Sequence, residues 1–375
     1  MVYSHIAAVD AGNGGVNAVL TRFQGDKLQT PQADYFPSVR AVVRAKTLGL
    51  GASQELQFTS VEWHGQKYVI GDDVTRVTKQ GLDRFIGKDR YGSEFHQFLV
   101  ATALARMGVG GKGEANVYLS LFCPPGYFAE QRENIKQAFL NKTVSIQYGD
   151  KLYQFRYGSV AVIPEGQAAL FCFNLNQDGS PNDKNPLYGD VLFLDSGVYT
   201  LDAVLVTDGK VNAQQTESYS NKGLDFFIRK PLMQAAHESS REFEGVTEDD
   251  IDVLIRQYAE AKDDQQRWEA CNLYHGGYTV DLFGVMQRQI AEYVKWIGNN
   301  VLARYDGLRG IRHVVLVGGG ASLITPLLVA MYPDKVKNSS EPPHYAAGRI
   351  SPVNMNAYGG LRVAVAKVKI EMGLG

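Results

Sequence analysis

An internal repeat constrains this chain more than any other feature of its sequence. The first copy reads Ile6-Ala-Ala-Val-Asp-Ala-Gly12 and then Val16-Asn-Ala-Val-Leu20, and the second reads Leu192-Phe-Leu-Asp-Ser-Gly197 and then Leu201-Asp-Ala-Val-Leu205. In both copies an Asp-x-Gly triplet follows an apolar run, and Ala-Val-Leu begins eight residues after the Asp. A glycine-containing turn follows each copy, at 24–27 and at 207–210. The shared register favours a duplicated strand–turn–strand unit over two unrelated hairpins.

The rest of the sequence is typical of a two-domain α/β protein. A chain of 375 residues suggests two domains, and apolar strand-like runs alternate with helical patterns. The net charge of −2 disfavours extensive direct binding of nucleic acid. No apolar run is long enough to span a membrane. Three widely spaced cysteines and the absence of a signal-peptide pattern lead us to expect a reducing, cytoplasmic location.

Periodicity predicts the main elements around the repeat. Helical spacing is expected over residues 94–107, 128–140, 164–173, 282–302 and 356–372. Buried strands are expected over 116–122, 190–194 and 313–317, and an edge strand over 67–70. Residues 48–53 and 174–189 are expected to be surface loops.

The chemistry of the repeat suits a bound nucleotide. An Asp at the end of a buried strand needs a cation, and two such residues, Asp10 and Asp195, can hold a hydrated Mg²⁺ across a cleft. The glycines allow the turns to approach an anion and to direct backbone N–H groups at it. One turn is expected to bind the β-phosphate and the other the γ-phosphate. No Walker-type G-x-x-x-x-G-K-[ST] loop occurs in the chain.

These motifs resemble the actin/Hsp70/sugar-kinase superfamily. The two repeats resemble its phosphate-1 and phosphate-2 loops, and Val315-Leu-Val-Gly-Gly-Gly-Ala-Ser-Leu-Ile324 resembles its adenosine motif. Ile163-Pro-Glu-Gly-Gln-Ala-Ala168 and the segment 352–361 are similar to its two connecting helices. Shorter pieces at 35–39, 68–71 and 122–128 resemble the ParM-type bacterial actins of plasmid segregation. The motifs occur in the family order.

The resemblance implies an actin-like fold of two duplicated RNase H-like α/β domains with a nucleotide cleft between them. The first domain is expected over residues 1–164 plus about 350–375, and the second over 165–349. The implied activity is hydrolysis of ATP, or of GTP, with Mg²⁺ as cofactor. Composition and periodicity leave polymerisation undetermined, but the family implies it.

The resemblance also implies roles for single residues. Glu165, Asp10 and Asp195 are the expected catalytic residues, with Glu165 orienting or deprotonating the attacking water and the two aspartates binding Mg²⁺ mainly through water. The expected nucleotide-binding residues are Gly12, Asn13, Gly14, Asn17, Gly197, Val198, Gly223, Gly318, Gly319 and Gly320. Asn17 stands where many actins carry a lysine that reaches the phosphates, so a basic residue from elsewhere, or Mg²⁺, would have to compensate.

Simpler interpretations of these residues stay open. Asp10 and Asp195 can be turn-capping residues, and Glu165 can be a first-turn helix residue after Pro164. The three glycines at 318–320 can form a plain strand-to-helix turn, and Gly223 can precede an ordinary helix N-terminus.

The expected partners are other copies of the chain in a filament and a DNA-binding adaptor at a plasmid centromere, with no membrane partner. The loops 48–53 and 174–189 are candidate filament contacts. The alternatives are a chromosomal or archaeal cytoskeletal actin, a small-molecule kinase of the same superfamily, and a nucleotide-dependent binding module without hydrolysis.

Overall fold

A computed structural model describes residues 3–43, 58–74, 82–183, 187–337 and 350–374 of the protein. The chain forms two compact units, one of residues 1–182 with 356–375 and one of residues 183–355. Residues 165–182, which the sequence analysis assigned to the second domain, therefore lie in the first unit. The predicted loop at 48–53 lies outside the described residues.

The described strands of the first unit are β1 (His5–Ala11), β2 (Gly15–Thr21), β3 (Phe23–Gln24), β4 (Lys27–Leu28), β5 (Gln32–Pro37), β6 (Arg40–Val42), β7 (Ser60–Trp63), β8 (Gln66–Ile70), β9 (Leu82–Asp83), β10 (Ala115–Cys123), β11 (Thr143–Tyr148) and β12 (Lys151–Pro164). Those of the second unit are β13 (Asp190–Ser196), β14 (Thr200–Thr207), β15 (Lys210–Val211), β16 (Glu217–Ser220), β17 (Asn272–His275), β18 (Tyr278–Asp281) and β19 (Ile311–Val317).

The described α-helices are α1 (Glu94–Arg106), α2 (Pro125–Phe139), α3 (Gln167–Asn174), α4 (Lys230–Ser239), α5 (Glu248–Glu260), α6 (Asp264–Ala270), α7 (Phe283–Asn300), α8 (Ala321–Met331) and α9 (Met355–Glu371). Shorter helical turns lie at Lys88–Arg90, Ala213–Gln215, Asp225–Arg229, Arg241–Phe243, Leu302–Leu308 and Pro352–Asn354. The chain is thus a mixed α/β protein, as its sequence predicts.

The two copies of the repeat fold alike, each within its own unit. β1 pairs with β2 antiparallel so that Asp10 lies opposite Asn17, and β13 pairs with β14 so that Asp195 lies opposite Asp202. In each unit the first strand of the hairpin also pairs in parallel with a later strand, β10 in one and β19 in the other. A further antiparallel strand, β5 or β16, covers the other side of the second strand. The structure therefore repeats the same four-strand arrangement around each Asp-x-Gly turn.

Two sequence predictions about elements differ from the structure. β8 pairs with β7 on one side and β6 on the other, so it is an inner strand and the prediction of an edge strand was wrong. The helix predicted from Pro164 begins at Gln167 instead, because β12 continues through Pro164 and a Glu165–Gly166 turn follows. Gly166 has a φ of +70°, which a side chain would strain.

Helix α9 packs closely against the first unit through two adjacent glycines. A Cβ on Gly359 would lie 1.8 Å from the carbonyl oxygen of Ala168 in α3, and one on Gly360 would lie 2.3 Å from the ring of Phe122 in β10. The Ser120 hydroxyl donates to the carbonyl oxygen of Gly360 at 3.2 Å. The absent side chains therefore let α9 approach both the helix and the sheet at van der Waals distance.

Candidate functional site

The first Asp-x-Gly turn places two polar side chains opposite each other in a buried setting. Asp10 is 9 % exposed and Asn17 is 8 % exposed. Within the described residues, the Oδ1 atom of Asn17 has no hydrogen-bond partner although it is buried. An orphaned buried oxygen costs free energy, so this atom is suited to a ligand or a metal-bound water.

Asn356 connects this turn to the turn that carries Glu165. Its Nδ2 lies 3.5 Å from Asp10 Oδ2, and its Oδ1 accepts a hydrogen bond from the Gly166 N–H at 2.9 Å. Because Asn356 lies at the start of α9, the close packing of that helix fixes the position of this amide. The structure thus brings the Asp10 and Glu165 segments together around one side chain.

Tyr91 is a buried tyrosine whose pKa is affected by both Asp10 and Glu165. Burial raises the pKa of Tyr91 well above its usual value, and the negative charges of Glu165 and Asp10 raise it further, while Arg90 opposes them. Both carboxylates are therefore close enough to affect the Tyr91 hydroxyl.

Glu165 is held by the backbone at the end of β12. Its N–H donates to the carbonyl oxygen of Cys123 at 2.9 Å, and its side chain is partly exposed. Since α3 begins only at Gln167, Glu165 is not a first-turn helix residue, and that simpler interpretation was wrong. Its role as the group that activates water stays a prediction.

The second Asp-x-Gly turn repeats the buried polar pair, with a second carboxyl group in place of the amide. Asp195 is 5 % exposed, and Asp202 opposite it is 1 % exposed. Thr200 donates to Asp202 Oδ2 at 3.1 Å, whereas Oδ1 is buried and has no partner among the described residues. Burial, with the repulsion of Asp195, raises the pKa of Asp202 to about 7. A cation near this pair would favour the charged form.

Two of the three glycines at 318–320 are required by packing against this turn. A Cβ on Gly318 would lie 2.3 Å from Asp195 Oδ1, and Gly318 also has a φ of +84°. A Cβ on Gly320 would lie 2.2 Å from the Ser196 Oγ. Gly319 is exposed, and a Cβ there would meet nothing within 4 Å. Gly319 is thus the member of the triplet whose bare backbone faces open space.

Gly223 also lies against the second turn. A Cβ on it would be 2.6 Å from the carbonyl oxygen of Gly197 and 2.5 Å from that of Val198. The N–H of Gly197 donates across the turn to the carbonyl oxygen of Thr200 at 2.9 Å. The missing side chain of Gly223 therefore allows the close packing that shapes the predicted phosphate loop.

Each turn, taken by itself, offers donors that fit a hydrated Mg²⁺. Carboxylate and amide oxygens are the ligands that this cation prefers, and it keeps several of its waters when it binds. Each turn offers a carboxylate, Asp10 or Asp195, and opposite it a buried oxygen that lacks a partner, on Asn17 or Asp202. No group of three or more His, Cys, Asp or Glu side chains among the described residues is arranged to hold a metal directly. This donor set favours indirect binding through water.

Sequence reasoning missed three residues of this neighbourhood. Asp202 had a signal, because it occupies the position of Asn17 in the second copy of the repeat. Asn356 lies in a segment that was recognised, but nothing in the sequence pointed to the amide itself. Arg90, which lies beside the first turn, gave no signal because the contact joins residues about eighty positions apart.

Comparisons with known proteins give a family match and structural matches. Residues 8–167 match the family model described as "Actin like proteins N terminal domain". No curated protein matches the chain significantly.

The structural matches cover nearly the whole chain. Ta0583, an archaeal actin homolog, matches with a TM-score of 0.68 at 17 % identity, covering 96 % of this chain and 98 % of that one. A ParM filament subunit from Clostridium botulinum gives 0.66 at 16 % identity, with 96 % and 99 % covered. Bacillus thuringiensis ParM with AMPPNP gives 0.64 at 13 % identity, with 98 % and 99 % covered. In the described residues, no helix is both long and apolar enough to cross a membrane.

Proposed function

We propose that this chain, which has the actin-like fold and matches the family of actin-like N-terminal domains over residues 8–167, is a Mg²⁺-dependent ATPase that polymerises into filaments. The actin-like fold predicted from the sequence motifs is confirmed by the structural matches. The observation that carries the proposal is the matched pair of turns. Each has a buried Asp, and each has opposite it a buried oxygen without a partner among the described residues.

In this proposal the residues of the turns bind the triphosphate and its metal. Asp10 and Asp195 hold the hydrated Mg²⁺, which when bound neutralises charge on the phosphate oxygens. The backbone N–H groups of Gly12, Asn13 and Gly14 bind the β-phosphate, and the N–H of Val198 binds the γ-phosphate. The N–H of Gly197 already donates to the carbonyl oxygen of Thr200, so Gly197 contributes its bare backbone to the turn instead of a donor. Glu165 orients or deprotonates the water that attacks the γ-phosphate.

The nucleoside is assigned to the glycine segments of the second unit. The exposed backbone at Gly319 leaves room for the base or sugar, and Gly223 keeps the second turn in shape. The choice of ATP over GTP rests on the structural relatives, because Ta0583 has been solved in complex with ADP and a ParM with AMPPNP.

Filament formation is supported by the relative from Clostridium botulinum, which was solved as a 15-stranded ParM filament. A head-to-tail contact that does not close into a ring produces such a polymer. The finer proposal is that these filaments segregate plasmid DNA in the cytoplasm, through a DNA-binding adaptor protein. The similarity to an archaeal actin homolog favours a second candidate, a cytoskeletal filament without a role in plasmids.

The central experiment is 90° light scattering of the purified protein after addition of Mg-ATP, followed by electron microscopy and an assay of phosphate release. We expect scattering to rise and then to fall as hydrolysis proceeds, and EDTA to prevent the rise. Asp195→Asn should reduce both polymerisation and hydrolysis, whereas Asp183→Asn, an exposed residue outside the repeat, should leave both unchanged. No scattering and no filaments at tens of micromolar protein would refute polymerisation.

The same preparation distinguishes the alternatives. Phosphorylation of a sugar in a panel of acceptors would identify a kinase, and filaments without phosphate release would identify a binding module. A small basic protein encoded beside the gene, together with centromere-like repeats that it binds, would support plasmid segregation over another cytoskeletal role.

A further inference from the structure

Arg90 is a buried cation that contacts the first Asp-x-Gly turn. It is 1 % exposed and lies at the end of the short helical turn Lys88–Arg90. Its Nη2 donates to the carbonyl oxygens of Ala11 at 2.8 Å and Gly12 at 3.0 Å, and its Nη1 to Asn13 Oδ1 at 3.2 Å. The guanidinium also donates to Ser38 Oγ at 3.1 Å, and to the carbonyl oxygen of Phe85 at 3.2 Å. One side chain thus holds three consecutive residues of the turn.

These bonds determine which way the peptide groups of the turn face. In a trans peptide the C=O of one residue and the N–H of the next point in opposite directions. Because the carbonyl oxygens of Ala11 and Gly12 both point at the guanidinium, the N–H groups of Gly12 and Asn13 both point away from it. Two successive N–H groups on one side form an anion-binding concavity.

The second turn has its carbonyl groups held in the same way by backbone donors. The carbonyl oxygen of Ser196 accepts from the Gly320 N–H at 2.9 Å. The carbonyl oxygens of Gly197 and Val198 accept from the N–H groups of Leu224 at 3.1 Å and Asp225 at 2.8 Å. In both copies of the repeat, the carbonyl groups of the turn are held by hydrogen-bond donors. The donors are the Arg90 guanidinium in the first copy and backbone N–H groups in the second.

We infer that Arg90 is a positioning residue for phosphate binding. It holds the first turn with its N–H groups aimed at the anion, and its buried positive charge polarises those peptide groups. It thereby compensates for the neutral Asn17 without touching the ligand. This inference rests on the proposed function, since it requires that the first turn bind a phosphate.

The test compares the binding of Mg-ADP and of adenosine by the full-length protein. Arg90→Met removes the donors and the charge, and we expect about tenfold or greater loss of Mg-ADP affinity, since a lost charged hydrogen bond and a misaligned turn act only on the phosphates. Adenosine, which has no phosphate, should bind as it does to the wild type. Arg90→Lys keeps the charge but cannot hold all the acceptors at once, so its Mg-ADP affinity should lie between those two values.

Arg40→Met provides the matched control. Arg40 is another buried arginine of the first unit, at 6 % exposure, but it pairs with Asp83 and Glu94 instead of the turn. We expect this variant to lose stability while keeping the wild-type ratio of Mg-ADP to adenosine affinity. A change of that ratio in Arg40→Met equal to the change in Arg90→Met would overturn the inference, because any buried arginine would then do the same.

Other results of the same binding measurements would also refute the inference. A folded Arg90→Met that binds Mg-ADP within twofold of the wild type, or that loses adenosine affinity equally, would refute the positioning role. If Arg90→Met does not fold, the ratio measured for Arg90→Lys decides, and an unchanged ratio refutes the inference. A wild-type protein that binds adenosine but not Mg-ADP would refute the proposed function and this inference together, whereas wild-type binding of Mg-ADP with unaffected Arg90 variants would refute only the inference.

Discussion

Asn17 and Asp202 occupy the same position in the two copies of the repeat, seven residues after the Asp, yet they differ in charge. Both are buried, and each leaves one oxygen without a hydrogen-bond partner in the described part of the chain. Burial and Asp195 raise the pKa of Asp202 to about 7, while Asn17 does not titrate. The two turns have similar backbones but differ in this one side chain. Since Asn17 cannot carry a charge, any further charge at the first turn has to come from neighbouring residues.

Replacement of Glu165 by Gln should separate binding from hydrolysis. The amide keeps the shape of the side chain but cannot accept a proton, so the rate of phosphate release should fall about 10²- to 10⁴-fold. The affinity for Mg-ATP should stay close to that of the wild type. Steady-state phosphate release and equilibrium binding check the two expectations. Glu130→Gln, an exposed residue of the same unit paired with Lys88, is the control. Equal rates in wild type and Glu165→Gln would remove Glu165 from the mechanism.

His96 should make the first unit sensitive to acid. Burial and the nearby positive charge of Arg90 lower the pKa of His96 from its usual 6.5 to about 3, and its Nδ1 accepts from the Gly92 N–H at 2.9 Å. Because the folded pKa lies below the unfolded one, protonation favours unfolding. This contribution to stability is complete above pH 6.5, and below it is lost by up to about 1.4 kcal/mol per pH unit as the pH falls towards 3.

The variant His96→Asn keeps an acceptor near the Gly92 N–H but does not titrate, so its stability should fall less steeply between pH 6.5 and 4. Denaturant unfolding at several pH values measures the slope. His64→Asn changes an exposed histidine whose φ of +50° asparagine tolerates, and should leave the wild-type slope unchanged. A wild-type slope in His96→Asn would show that other groups cause the acid sensitivity.

Helix ends and glycines position the residues of the candidate site. α9 brings Asn356 to Asp10, and it does so because Gly359 and Gly360 allow it to lie against α3 and β10. In the second unit, Gly318 and Gly320 let the end of β19 and the start of α8 pack against Asp195 and Ser196. The geometry of both turns thus depends on close approaches where a single methyl group would not fit.

Gly359→Ala should destabilise the protein because the added methyl group would overlap backbone of α3. A cost of about 1–3 kcal/mol is expected for such overpacking. Thermal or denaturant unfolding measures it. The matched change Gly298→Ala lies in α7, where the new Cβ would be 3.6 Å from the nearest atom, an ordinary contact. That variant should be more stable than the wild type by up to about 1 kcal/mol, since alanine favours helix. A neutral Gly359→Ala would contradict the close crossing.

The glycines at 319 and 320 should respond differently to the same substitution. Gly320→Ala places a methyl group against Ser196 and should cost about 1–3 kcal/mol of stability. Gly319→Ala meets open space, so it should leave stability unchanged but weaken the binding of Mg-ATP if a nucleoside lies there. Unfolding and nucleotide titration of both variants test this contrast. Unchanged affinity in Gly319→Ala would remove this residue from the nucleoside site.

Nucleotide binding should increase the free energy of unfolding of the whole protein. A ligand that binds only the folded protein adds about 2.7 kcal/mol when present at a hundred times its dissociation constant. We therefore expect Mg-ADP to raise the thermal midpoint, and EDTA to cancel most of the increase because, in the proposed function, the aspartates of the two turns bind the nucleotide through the cation. Differential scanning calorimetry with and without EDTA tests this. A midpoint that does not respond to Mg-ADP would contradict nucleotide binding.

Much of the fold was predictable from the sequence because the repeat is local. The hairpins 5–21 and 190–207 have their partners within a few residues, and apolar runs mark their strands. The edge prediction for 67–70 was wrong because strand neighbours from distant segments leave no local pattern. The start of α3 was misplaced because Pro164, which often begins a helix, ends a strand here.

The candidate site was predictable only where its residues lie in the motifs. The motifs point to Asp10, Asp195 and Glu165, and the roles of these residues stay predictions. Arg90 and Asn356 reach the first turn from about eighty and about 350 positions away, so only the folded chain reveals them. Arg90 contacts the backbone of the turn and Asn356 contacts a carboxylate, and no short motif encodes such contacts.

The first unit is discontinuous, since residues 356–375 return to it after the whole second unit. A ribosome therefore synthesises Asp10 early and its neighbour Asn356 only after more than three hundred further residues. A nascent chain that still lacks α9 has neither this amide nor the Gly359 crossing. Folding of the first unit therefore has to wait until the second unit has been synthesised, and the turn that carries Asp10 should reach its final geometry last.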